Sequence, residues 1–200
     1  MLILIGRWRK LQLSTPVENV SLPTLAESKT QIVTSFYDHE ADQEDQEQAL
    51  VFYNNKFYQS QGIDIAATDD GPFPVIAALS GEVIEVKENP VLGLIVQLKH
   101  DHDVTTFYSS LTDVEVKEGQ SVSQGDVIAH AGTNVFNKDI GVHVHFEIRK
   151  DGDPVNPESY IDQSVAELTT SVAENPAEPD DERKDREEQD IETSLPSPQT

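Results

Sequence analysis

Between residues 49 and 161 the apolar positions come in short runs at strand spacing, too brief for amphipathic helices. Val75–Leu79, Gly81–Val86, Leu94–Leu98, Thr105–Tyr108, Val114–Val116, Val127–Ala129 and His143–Ile148 are rich in Val, Ile, Phe and Tyr, and several alternate. Turn pairs separate them: Asp70-Gly71, Ser80-Gly81, Asn89-Pro90, Glu118-Gly119, Gln124-Gly125 and Asp151-Gly152. Strands this close, with no long helix between them, predict an all-β domain whose antiparallel sheet system closes or packs on itself. Two Gly turns six residues apart, Gly119 and Gly125, sit between apolar strand ends, and each Gly is predicted at positive φ.

Outside that unit the pattern changes. Residues 1–48 read as an N-terminal linker ending in an acidic run. Within it, Ile32, Val33, Phe36 and Tyr37 form a short amphipathic piece, and Glu40–Leu50, free of Gly and Pro, could make one helix. Residues 162–200 read ENPAEPDDERKDREEQDIETSLPSPQT over most of their length, with almost no aliphatic residue in that stretch and no aromatic one. Such a stretch cannot bury enough apolar surface to offset its ordering entropy, so it is predicted to be a disordered acidic tail. Met1–Ile5 is apolar but far short of the about 20 residues of a membrane span or the roughly 7–15 of a signal-peptide core. No competent targeting segment is therefore expected.

Charge follows the same boundaries. The chain holds 14 Lys and Arg against 37 Asp and Glu, a net −23. Residues 38–48 contribute six acids and no base, residues 162–200 twelve acids and three bases, and residues 49–161 seventeen acids and seven bases. This balance excludes nucleic acid and anionic membrane surfaces as partners held by a basic field. There is no Cys, which excludes disulfides and thiolate metal sites.

The sharpest candidate chemistry lies in Gly141-Val142-His143-Val144-His145-Phe146-Glu147. Two His at i and i+2 on a strand project to one face, where two ring nitrogens can share a site. An isolated pair of this kind is more often two surface His than a metal site. Asp64, in Ser60-Gln61-Gly62-Ile63-Asp64, is a hard oxygen ligand type that could complete a zinc shell. Its bland alternative is a strand-end Asp bonded to backbone amides. His100, His102 and His130 are read as solvated turn residues, and His39 as exposed within the acidic run.

The Gly turns around Val116–Ile128 are similar to those of biotinyl and lipoyl carrier domains, but no exposed-hairpin Lys of the modifiable kind is present. From Gly62 to Pro157 the chain resembles the lysostaphin-type (LytM) zinc metallopeptidases that cut peptidoglycan cross-bridges. That resemblance implies a barrel-sandwich, or duplicated hybrid motif, fold. It also implies metal ligands at the positions of Ser60, Asp64 and His145, and catalytic His at those of Ser110 and His143. Asp64 and His145 survive as ligands and His143 as a catalytic helper, whereas Ser60 and Ser110 replace two His. A Ser hydroxyl is a poor Zn²⁺ ligand and no general base near neutral pH. The expectation is a vestigial site with no cofactor; the alternative is an active zinc endopeptidase with an unusual ligand set.

The double loss of His resembles the degenerate sporulation branch of that family. It implies a binding module held by a membrane anchor, facing the space between forespore and mother cell during engulfment. The implied partner is the ring-forming domain of stage III sporulation protein AH, with peptidoglycan as a further candidate ligand. The anchor is not visible in this chain.

Overall fold

The computed structural model describes residues 18–165. Twelve strands and one short helix follow in order: β1 (Thr30–Thr34), α1 (Gln43–Gln48), β2 (Leu50–Tyr53), β3 (Lys56–Gln59), β4 (Ile63–Ala67), β5 (Pro74–Ile76), β6 (Gly81–Asn89), β7 (Gly93–Lys99), β8 (Val104–Thr112), β9 (Ser121–Val122), β10 (Val127–Ala131), β11 (His143–Lys150) and β12 (Asp153–Val155). The main sheet runs β1-β4-β11-β8-β7-β6-β9, with β10 joining β5 to β8 and β12 flanking β11. Every named ladder is antiparallel. The all-β expectation from the apolar runs is met, with β2–β3 a separate hairpin.

The core is built largely from one face of β4, β7, β8 and β11. Ile63, Ile65, Val96, Leu98, Phe146 and Ile148 are all but inaccessible. Phe146 pairs in register with Tyr108, and their rings pack 5.3 Å apart. The Tyr108 hydroxyl accepts the Ala78 backbone N–H at 3.0 Å, and burial pushes the phenol up to about 12. Gly119 and Gly125 take φ of 79° and 88°, as the turn reading requires.

Several expectations change. Residues 18–34, read as linker, are part of the fold: β1 pairs with β4, and Val20 is fully buried in the core. Val20 N–H donates to Gln163 O at 2.9 Å, and its carbonyl accepts from Asp162 at 2.8 Å. The folded unit therefore reaches back to residue 18 and on to residue 165, beyond the 49–161 boundary. A strap this short has no periodicity to reveal it. The helix is confined to Gln43–Gln48, because Asp42 caps it by accepting the Asp45 N–H at 3.0 Å and β2 begins at Leu50. Val114–Val116 forms no ladder, although Glu115 N–H donates to Ile128 O. His100 is buried rather than solvated, held between Ser80 O at 2.8 Å and Thr106 Oγ1 at 2.7 Å. Burial lowers its pKa, partly opposed by the Ser80 bond. The acidic tail from residue 166 and the apolar Met1–Ile5 lie outside the described residues.

Candidate functional site

Three neighbouring strands bring the predicted residues together. In register, His145 on β11 faces Asp64 on β4 and Ser109 on β8, and directly opposed residues of an antiparallel pair share a sheet face. They line a cleft of about 370 Å3 whose walls include Ser60, Leu92, Phe107, Asn134, Phe136 and Arg149. From His143 the period of two runs on through His145, Glu147 and Arg149, placing all four on one face.

The polar groups form a continuous chain from Asn137 through Asp64, His145 and Glu147 to Arg149. Asp64 Oδ1 meets His145 Nδ1 at 2.7 Å, and Glu147 Oε1 meets His145 Nε2 at 3.1 Å. Carboxylate oxygens only accept, so both ring nitrogens carry protons and the ring is an imidazolium. Burial alone would lower the His145 pKa, but the charges and hydrogen bonds of Asp64 and Glu147 raise it to about 10. Burial alone would raise the Asp64 carboxyl; the charge and hydrogen bond of His145 carry it below the ordinary value instead. Asp64 Oδ2 accepts from Asn137 Nδ2 at 2.8 Å, and Glu147 Oε2 from Arg149 Nε at 2.7 Å.

His143 is fully buried and does not line the cleft. Its Nδ1 donates to Gly141 O at 2.9 Å, and its Nε2 lies 3.3 Å from Asn134 Nδ2. Burial holds its pKa below the ordinary value, with Asp64 opposing. The two serines of β8 part ways at a bulge, where the β7–β8 register shifts between Leu94 and Val96. Ser110 takes φ 63° and turns toward Gly132, whose N–H its carbonyl accepts at 2.7 Å. Ser109, not Ser110, lines the cleft, with a buried hydroxyl that finds no partner there. Sequence reasoning missed Ser109, Asn134 and Asn137, which reach the site through a bulge and a loop. Glu147 and Arg149 were detectable from the alternation on β11.

A catalytic zinc takes three protein ligands and a water. Asp64 and His145 supply two donors. At the third position the Ser60 hydroxyl donates to Gly62 O at 2.8 Å. Two ligands of a tetrahedral zinc lie about 3.3 Å apart, given bonds of roughly 2.0 Å. The 2.7 Å contact between Asp64 and His145 is a hydrogen bond in that space. Among the described residues no three His, Cys, Asp or Glu side chains are grouped to hold a metal ion. The donor set does not fit a catalytic zinc.

Residues 58–157 match the model of peptidase family M23. The chain belongs to that family. It is 39% identical over 178 residues to stage II sporulation protein Q of Bacillus subtilis, an alignment covering 88% of this chain and 63% of that protein. The chain thus spans less than two thirds of that relative. A chain of the SpoIIQ–SpoIIIAH pore-forming complex superposes with a TM-score of 0.76 at 41% identity, covering 78% of this chain and 98% of the other. A zinc-containing peptidase from Vibrio cholerae shares the M23 fold with a TM-score of 0.54 at 27% identity, over 70% of this chain and 39% of the other. The family match confirms the LytM-type fold that the motifs implied, and its residues include Ser60, Asp64 and His145 of the cleft and the buried His143.

Proposed function

We propose that this protein is a catalytically inactive M23-fold binding module that joins a SpoIIIAH-type ring-forming domain in a sporulation complex. It acts at the forespore membrane, facing the space between forespore and mother cell. The observation that carries this reading is the internal ion pair. Where the family's chemistry calls for a metal, His145 binds Asp64 and Glu147 through its own two protons, and Ser60 offers a hydroxyl already committed to Gly62 O. Asp64, His145 and His143 are then remnants of ligands and helper, and Ser60 and Ser110 mark the lost positions. The likeness to stage II sporulation protein Q and to the SpoIIQ–SpoIIIAH complex supports the partner.

The test is to mix the full chain with the SpoIIIAH-type domain of the same organism and follow the mixture by size-exclusion chromatography and calorimetry. A stoichiometric complex, with isolated cell wall left intact, is the expected result. Release of muropeptides that His145→Ala abolishes would sink the reading in favour of a peptidase.

A further inference from the structure

The outer face of the β2–β3 hairpin carries two aromatic rings in tilted contact. Phe52 is 56% exposed and Phe57 68%, and their centroids lie 5.0 Å apart across the register pair. The inner face anchors the hairpin. Val51 is buried there, and Tyr53 and Tyr58 pack on Phe136 at 5.5 and 5.4 Å. The two-residue turn is tight, with Asn54 and Asn55 at φ 49° and 61°, the left-handed pair of a type I′ hairpin. The rings are thus presented on a braced support and need little ordering on contact.

Immediately before β2 lies the acidic segment. Residues 38–48 hold six acids and no base, and Lys56 is the single Lys or Arg between residues 38 and 60. The backbone that carries these acids is anchored at α1: Asp42 caps its start, and Ala49, buried at its end, takes its N–H back to Asp45 O at 3.1 Å.

We propose that the Phe52–Phe57 face and the acidic segment together dock a partner protein that offers an apolar pocket rimmed by Lys and Arg. Rings of this kind fill pockets at the centres of interfaces, and the adjoining acids select a basic rim. Charge removes the other occupants. Six acids repel an anionic bilayer or a nucleic acid. A second copy of this chain, net −23, would bring like charge to the same patch. The inference rests on the binding-module reading and assigns the surface that module uses.

The test measures Kd by calorimetry for the full chain and the SpoIIIAH-type domain of the same organism. Phe52→Ser with Phe57→Ser should weaken binding at least about thirty-fold. Both rings are exposed, so its Tm should stay within about 3 °C of the unaltered chain. A second variant converts the six acids of residues 38–48 to their amides; Asn at position 42 still caps the helix. It should bind more weakly and lose most of the salt dependence the unaltered chain shows from about 50 to about 500 mM NaCl. An unaltered Kd for the double Phe variant overturns the inference and leaves the binding-module reading intact. So does an affinity of the unaltered chain that salt does not weaken. A chain that forms no complex at all removes both.

Discussion

Replacing His145 by Gln removes the cation that holds two buried carboxylates. Asp64 is 2% exposed and Glu147 5%, so neither can recover its hydration in place. Deleting one partner of a buried ion pair costs about 3–5 kcal/mol, because the remaining charge is stranded. The proton affinity of the ring gives a second figure for the same interaction. A rise from 6.5 to about 10 corresponds to about 5 kcal/mol. The two figures agree and are not to be added. Against a total of about 5–15 kcal/mol for a domain, the variant should sit close to unfolding. The pH dependence has a definite sign. A folded-state value above the unfolded one stabilises fully below about pH 6.5, and that contribution is lost as pH rises through about 10. Urea unfolding of the two proteins should therefore differ by about 3–5 kcal/mol near pH 6 and converge toward pH 10. A difference below about 1 kcal/mol near pH 6, or one that stays constant with pH, would refute the imidazolium.

Other outcomes follow from single contacts. Gly62→Ala would drive a Cβ into the Phe146 carbonyl oxygen and the Glu147 side chain, so β4 and β11 must part. A loss above about 3 kcal/mol in thermal melts is expected, and an unchanged Tm would contradict that approach. Tyr108→Phe strands the buried Ala78 N–H and should cost about 1–3 kcal/mol with little change in volume. The unaltered chain should bind Zn²⁺ no tighter than roughly tens of micromolar, whereas Ser60→His with Ser110→His should retain stoichiometric zinc after dialysis. A double variant that gains no zinc would show that these serines do not hold the family's histidine positions.

How much was legible depends on the range of the signal. Alternation along His143–Arg149 revealed both a strand and its polar face, because period two is written in the local sequence. Gly119 and Gly125 were legible for the same reason: a tight turn at positive φ favours glycine locally. Asp64 and Ser60 emerged through motif spacing, and the structure places both on the cleft. Val20 gave no signal, since a lone buried Val in a strap owes its place to distant partners at Asp162 and Gln163. Ser109 was hidden by the bulge, which reverses which of two adjacent serines faces the cleft. Asn134 and Asn137 lie in a loop without periodicity, so only tertiary contact identifies them. His100 looked solvated because Lys99 precedes it and Asp101, His102 and Asp103 follow it in sequence; Gly81, with no side chain of its own, leaves room for its ring.

The strap has a consequence for reach. Val165 N–H donates to Glu18 O at 3.1 Å, and Asn19 bridges Ser164, so the first and last described residues are neighbours. The described chain, from residue 18 to residue 165, therefore enters and leaves the domain at one place. Unfolded, the same stretch could span hundreds of ångströms, at about 3.3 Å per residue. Folded, residues 18 to 165 begin and end at one place, so the path through the domain adds almost nothing to the end-to-end distance of the chain.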